Sequence, residues 1–275
     1  MKTILAPIDF SDASFNSAHY AAALANVFNA ELVLIHAYVN PTTIDEMPRE
    51  LFTVPETELD QVLSKFMEEN VEVLRKKFTI KIKGIVKEGR ASVIIENLAD
   101  QTNADLVVMG LKGKGKTKSL FGSNTTHLMR KSSIPVLAIP EGAEFNSFQT
   151  ILLASDFNLE TNFSSYSLLK NFAEKFNATI HILNVRRKNA EFSKAELLEK
   201  LNISLAFPNI EAQFYSIEDD DVDDGIEDFL EKNPSQLLVM IAKKRNFFER
   251  LIHKSNTREV SKETRIPLLV LPDRD

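Results

Sequence analysis

Short apolar runs alternate along this chain with longer stretches whose apolar residues return at helical spacing. Residues 4–8 form a compact apolar run that predicts a buried strand, and Ser11 or Asp12 is placed to cap a helix after it. In that helix Ala18, Ala21, Ala22, Ala25 and Phe28 recur every three or four residues. Residues 32–35 predict a second buried strand, 62–78 a helix, 80–86 an alternating strand, 92–101 a helix and 106–109 a fully apolar strand. A loop rich in glycine and lysine follows, then a helix capped by Ser123 and a strand over 136–139. Strands this short and apolar, separated by helices, predict a parallel sheet covered on both faces.

The same pattern then returns. Thr3-Ile-Leu-Ala-Pro-Ile-Asp9-Phe10 is matched by Thr150-Ile-Leu-Leu-Ala-Ser-Asp156-Phe157, and Phe28-Asn-Ala by Phe176-Asn-Ala. Ser123-Asn-Thr125 is matched by Ser255-Asn-Thr257, and Ile134-Pro by Ile266-Pro. The offset is 147 or 148 residues at the first two matches and 132 at the last two, so the second copy is shorter by about fifteen residues between its second and fourth strands. Four matches in one order mark a duplication. The predicted architecture is α/β: two tandem copies of a doubly wound, parallel five-stranded sheet flanked by helices. Residues 1–143 form the first copy and 148–275 the second, with a short polar boundary at 141–147.

Composition narrows the function. Hydrophobic residues make up 44 % of the 275 and charged ones 26 %, an ordinary globular balance. The net charge of −6 argues against a general nucleic-acid binder. There is no cysteine, which removes disulfides and thiolate chemistry. The first residues turn polar at Asp9, too soon for a signal-peptide core, and no apolar run reaches the roughly 20 residues of a membrane helix. The expectation is a cytoplasmic protein that binds neither membrane nor nucleic acid.

The candidate chemistry lies in Gly110-Leu-Lys-Gly113-Lys-Gly115-Lys116-Thr117-Lys-Ser-Leu-Phe-Gly122-Ser123-Asn124-Thr125. Glycines let backbone N–H groups approach an anion, the following helix N-terminus adds partial positive charge, and the hydroxyls of Ser123 and Thr125 can donate to phosphate oxygens. Six Lys or Arg residues and no acid lie between Leu111 and Ser133. A loop at the carboxyl end of a strand in a doubly wound sheet is also where such folds place ligands.

This loop resembles the ATP-binding signature of the universal stress protein family, a Gly-x-x-Gly pair followed about nine residues later by Gly-Ser or Gly-Thr. Gly110 and Gly113 match the pair and Gly122-Ser123 the close, with eight intervening residues. The resemblance extends over both halves and implies an adenine nucleotide alpha hydrolase-like fold. It further implies a site for ATP, alone or with Mg²⁺, built from Pro7, Asp9, Ala37, Met109, Gly110, Gly113, Gly122, Ser123, Asn124 and Thr125. In that family Asp9 corresponds to a residue beside the adenine and ribose, and Ala37 to one packed near the adenine. Family members pair through the last strand, so the two halves are expected to form an intramolecular pseudo-dimer, and a homodimer is a further option.

A rival motif overlaps the first. Gly110 through Thr117 also satisfies Gly-x4-Gly-Lys-Thr, the P-loop pattern. A P-loop runs straight into its helix at Lys-Thr and normally follows the first strand of its domain. Here Gly122 intervenes and the loop follows the fourth strand. Three functions stay open: a nucleotide-binding regulatory protein of the stress response, a slow ATPase or other nucleotide hydrolase, and a scaffold with a vestigial site. No general base is evident for the second. The five histidines (His19, His36, His127, His181, His253) hold no close pair at metal-ligand spacing. The acidic run Asp219–Asp224 reads as the capped start of a helix rather than a cation loop.

The second copy keeps Asp156 and Ser255-Asn-Thr257 but reads Ala242, Arg245 and Lys254 where the first has Gly110, Gly113 and Gly122. Side chains there occupy the space a phosphate needs. The sequence therefore predicts one nucleotide per chain, in the first copy.

Overall fold

A computed structural model describes residues 1–39, 59–111, 122–155, 157, 163–186, 194–242 and 266–272; of residues 194–196 and 199 it describes the backbone only. In the first half β1 (Thr3–Pro7), α1 (Asp12–Phe28), β2 (Glu31–Tyr38), α2 (Leu59–Arg75), β3 (Ile82–Glu88), α3 (Ala91–Thr102), β4 (Leu106–Gly110), α4 (Ser123–Lys131) and β5 (Val136–Ile139) follow in turn. The second half gives β6 (Thr150–Ala154), a 3-10 turn (Phe163–Tyr166), α5 (Ser167–Phe176), β7 (Thr179–Arg186), α6 (Lys194–Ala206), β8 (Ala212–Glu218), α7 (Val222–Lys232), β9 (Leu237–Ala242) and β10 (Leu268–Pro272). The predicted alternation of strands and helices is present. The predicted ends of α2 and β3 lie two or three residues out of place, where periodicity is a weak guide to boundaries.

Among the described residues ten strands form one sheet, in the order β3-β2-β1-β4-β5-β10-β9-β6-β7-β8. Within each half the pairings are parallel. The chain leaves β1 toward β2 and β3, then crosses to β4 and β5 on the other side, which makes the gap beyond β1 and β4 a topological switch point. The halves meet where β10 runs antiparallel to β5, with Leu269 opposite Leu137.

Each face of the sheet carries one apolar core that extends across both halves. Ile4, Ala6, Leu137, Leu153, Leu269 and Leu271 point to the face covered by α1, α2, α5 and α6. Leu5, Val107, Ala138, Leu152, Leu268 and Val270 point to the face covered by α3, α4 and α7. The small side chains Ala18, Ala21, Ala22 and Ala25 are all buried, so α1 lies close against the strands.

The boundary between the halves departs from its polar reading. Phe148 is fully buried, and its ring centroid lies 4.8 Å from that of Phe176 and 5.6 Å from that of Phe172, both on α5. Phe145 packs edge-on against Tyr20 of α1 at 5.2 Å, and Phe28 of α1 meets Phe172 at 5.6 Å. Asn16 donates to the carbonyls of Pro140 and Ala143, at 3.3 and 3.2 Å, and pins the connecting backbone to α1. The connection is an aromatic joint whose phenylalanines find partners only once both halves are folded.

The shortening of the second copy also has a place. Tyr38 and Leu59 are separated by 20 residues, whereas Arg186 and Lys194 are separated by seven. Most of the missing length therefore precedes α6. Asp221 caps α7, accepting from the Asp223 N–H at 3.1 Å, with Asp223 and Asp224 in the first turn. The acidic run is a helix start, as its pattern predicts.

Candidate functional site

Turning from β1 into α1 requires a tight loop, and Ser11 organises it. Its hydroxyl accepts from the Ser14 N–H at 3.2 Å and caps α1, while the Ser14 hydroxyl reaches back to complete a capping box. Ser11 also holds Asp9: its N–H donates to Asp9 Oδ1 at 3.1 Å and its hydroxyl donates to the same oxygen. The carboxylate beyond the end of β1 is thus fixed by the helix cap behind it. Phe10 takes the left-handed conformation, φ 58°, which costs a bulky residue on the order of 1 kcal/mol. Its ring lies against His36, with centroids 4.3 Å apart, and within 6.3 Å of Phe15 and of Phe66. Burial of the ring offsets the strain.

Neither Phe10 nor His36 was singled out from sequence as part of this region. His36, near the end of β2, has Nδ1 2.9 Å from the Ile8 carbonyl and so ties the Asp9 turn to the next strand. A signal existed: at the same repeat position the second half has Asn184, which donates to the Ser155 carbonyl at 2.9 Å. Ala37 follows His36 and is half-buried beside the end of β1.

On the other side of the switch point, Met109 is buried under the end of β4 and Gly110 ends the strand opposite Ile139. The Leu111 N–H donates to the Ile139 carbonyl at 2.9 Å, so pairing continues one residue further. The Gly122 N–H then donates to the Leu111 carbonyl at 2.7 Å. The chain that leaves at Leu111 returns to the same point. Gly113, Gly115, Lys116 and Thr117 belong to residues 112–121, outside the described residues, as do Asp156, Arg245, Lys254 and residues 255–257 of the second half.

Two details of the helix start are corrections to the sequence reading. The N-cap of α4 is Gly122, extended at φ −62° and ψ 154°, and Ser123 is the first helical residue. Gly122 has no side chain with which to cap the helix, and no side-chain cap is present among the described residues. Thr125, expected to donate to phosphate, is buried, and its hydroxyl donates to the Gly110 carbonyl at 3.0 Å. One hydroxyl has one proton, so Thr125 spends it holding the start of α4 against the end of β4. Ser123 and Asn124 remain exposed at the helix N-terminus. The extended Gly122 also separates α4 from Lys116-Thr117, so α4 is not the helix a P-loop would open.

Pro7, Asp9, Ala37, Met109, Gly110, Gly122, Ser123, Asn124 and Thr125 all fall at the carboxyl end of the parallel strands of the first half, around the switch point. The first turn of α4 contains no acid, and its leading N–H groups carry the positive end of the helix dipole. Among the described residues no three His, Cys, Asp or Glu side chains cluster as metal ligands, and no helix is long and apolar enough to cross a membrane.

Comparison with known proteins places this geometry. The profile of the universal stress protein family matches twice, over residues 1–140 and 147–272. Universal stress protein Sll1654 of Synechocystis is 32 % identical over 141 residues, a match of 50 % of this chain to 85 % of that protein. Universal stress protein MJ0531 of Methanocaldococcus jannaschii is also 32 % identical, over 146 residues, covering 50 % of this chain and 81 % of its own. These relatives correspond in length to one half. A crystal structure of a universal stress protein from Archaeoglobus fulgidus superposes over 99 % of this chain and 97 % of its own, with a TM-score of 0.71 and 20 % identity, and so shares the two-copy fold. With both repeats matched and the architecture common to the whole length, this chain belongs to the universal stress protein family, as a tandem member with an adenine nucleotide alpha hydrolase-like fold.

Proposed function

We propose that the protein is an ATP-binding regulatory component of the cytoplasmic stress response, holding one nucleotide per chain in residues 1–143. The observation that carries this reading is the closed stem at Leu111 and Gly122. It presents the start of α4, which no side chain caps among the described residues, with Ser123 and Asn124 exposed, across the switch point from Asp9. A helix N-terminus at such a crevice binds phosphate without special machinery. In this reading Gly110, Gly113 and Gly122 give backbone access to the phosphates, with or without Mg²⁺. Ser123 and Asn124 donate to them. Pro7, Asp9, Ala37 and Met109 flank the adenosine, and Thr125 positions the helix. Residues 148–275 form a second domain without a nucleotide, and the β5–β10 pairing makes the chain an intramolecular pseudo-dimer. Calorimetric titration of the full chain with Mg²⁺–ATP is the test. One equivalent is expected at saturation; two equivalents, or none, would overturn the assignment.

A further inference from the structure

The ladder between β1 and β2 is ended by a side chain, and the second copy ends its own ladder at the same rung. Along β2 the odd-numbered residues turn their backbone toward β1: the Glu31 N–H donates to the Lys2 carbonyl at 2.8 Å, and the Ile35 carbonyl accepts from the Ile8 N–H at 2.8 Å. The even-numbered residues face β3, as the Leu32 N–H on the Lys81 carbonyl shows. A parallel ladder continued by one rung would place the Ala37 N–H on the Ile8 carbonyl. Among the described residues that carbonyl takes His36 Nδ1 instead, at 2.9 Å. A ring nitrogen that meets a carbonyl carries the proton, so the imidazole is the donor. The second half repeats the arrangement with a different residue. The Ser155 N–H donates to the Leu183 carbonyl at 2.9 Å, and among the described residues the Ser155 carbonyl takes Asn184 Nδ2, also at 2.9 Å, rather than the Val185 N–H.

We propose that His36 is a positioning residue of the nucleotide site, which it shapes by stopping the β1–β2 ladder one rung short; this role rests on the ATP-binding reading of the site. With the Ile8 carbonyl occupied, the Ala37 N–H stays turned toward the mouth of the site. The chain beyond Ile8 is released from β2 and turns at Asp9, where Phe10 takes its left-handed conformation and lays its ring back on the imidazole, centroids 4.3 Å apart. A closed rung would draw Asp9 along β2 and away from the Ser11 N–H that holds its carboxylate. His36 thus sets the spacing of Asp9 and Ala37, two residues assigned to the ligand, through the backbone and without touching the ligand itself. The ring contact with Phe10 is the rival role, packing alone. The two roles make opposite demands on a replacement. Asn, the residue at this repeat position in the second half, keeps a donor and loses the ring, whereas Phe keeps the ring and loses the donor.

Calorimetric titration of the full chain with Mg²⁺–ATP should compare His36→Asn and His36→Phe with the unaltered protein, alongside melting temperature and amide hydrogen exchange measured without nucleotide. The Asn variant should bind within about threefold of the unaltered chain and the Phe variant about tenfold or more weakly, as loss of one positioning hydrogen bond implies. In the Phe variant the ladder should close by one rung, and the Ala37 amide should exchange about tenfold more slowly than in the unaltered protein. An Asn variant as weak as the Phe variant, a Phe variant that binds like the unaltered chain, or an Ala37 amide whose exchange the Phe substitution leaves unchanged overturns the proposal. An unaltered chain that binds no ATP overturns the site and with it the role of His36. The Ala37 exchange is read without nucleotide and so separates the two failures. If the Phe variant does not fold, His36→Met, which also lacks a donor, takes its place.

Discussion

The two halves of this chain keep the same scaffold by different means and differ where a ligand would touch. At the start of the first half Asp105 accepts from the N–H groups of Lys2 and Thr3, at 2.5 and 2.9 Å; at the start of the second Gln236 accepts from Gln149 and Thr150, at 2.9 and 2.8 Å. His36 and Asn184 serve the turn after the first strand in the same alternating way. Asn29 and Asn177 end the equivalent helices α1 and α5 in the left-handed conformation, and Phe10 and Phe157 share it too. Residue type changed while each backbone group kept its partner. The reason is energetic: an orphaned buried N–H or C=O costs roughly 1–3 kcal/mol, and any acceptor of suitable reach avoids that cost. A phosphate cradle is less forgiving, because it needs empty space. At the positions of Gly110, Gly113 and Gly122 the second copy carries Ala242, Arg245 and Lys254, which under the proposed function would occupy that space, and α6 turns leucine outward where α2 turns charge. Scaffold and site have come apart.

The largest effect should come from the joint that belongs to neither half. Phe148→Ala removes a fully buried ring shared with α5 and should cost about 3–5 kcal/mol in chemical denaturation. If the halves were independent, the loss would be small and two transitions would appear. Next, Gly122→Lys gives the first half the residue found in the second. Gly122 has φ −62°, open to any residue, so the fold should survive. ATP affinity should fall at least 100-fold, about 2.7 kcal/mol, in calorimetry at an unchanged melting temperature. Wild-type affinity would erase the distinction drawn between the copies.

Smaller changes sharpen the same comparison. Asp105→Ala and Gln236→Ala should each cost about 1 kcal/mol and act alike, since each strips two strand-entry N–H groups of their acceptor. A large difference between them in urea unfolding would show that the scaffolds are not equivalent. The smallest effect concerns pH. His19 and His181, one in each half, have pKa values lowered chiefly by burial, and Nδ1 of His181 has no hydrogen-bond partner among the described residues. A lowered imidazole pKa means that the unfolded chain binds more protons. Their contribution is present above the unfolded value of about 6.5 and is lost as pH falls through it toward the folded values. The double variant His19→Gln, His181→Gln should flatten the decline in melting temperature between about pH 7 and pH 5.

The duplication, the order of strands and helices and the capped acidic start of α7 were all determined by sequence alone. Each is a local property: periodicity reports which side of one element is buried, and glycine reports where backbone must come close. What only the tertiary structure decided is partnership across distance. Phe145 sits in the stretch 141–147 that reads as a polar boundary and Phe148 directly after it, and their packing depends on α1 and α5 from opposite halves. Thr125 reads as a phosphate donor until Gly110, fifteen residues back, is seen to accept its proton. The exposed leucines of α6 show the same limit, because a pattern of apolar residues fixes a helix's stripe but not the side it faces. That choice is made by Ile203, Lys200 and Phe207, whose contacts with the rest of the second half turn the stripe outward.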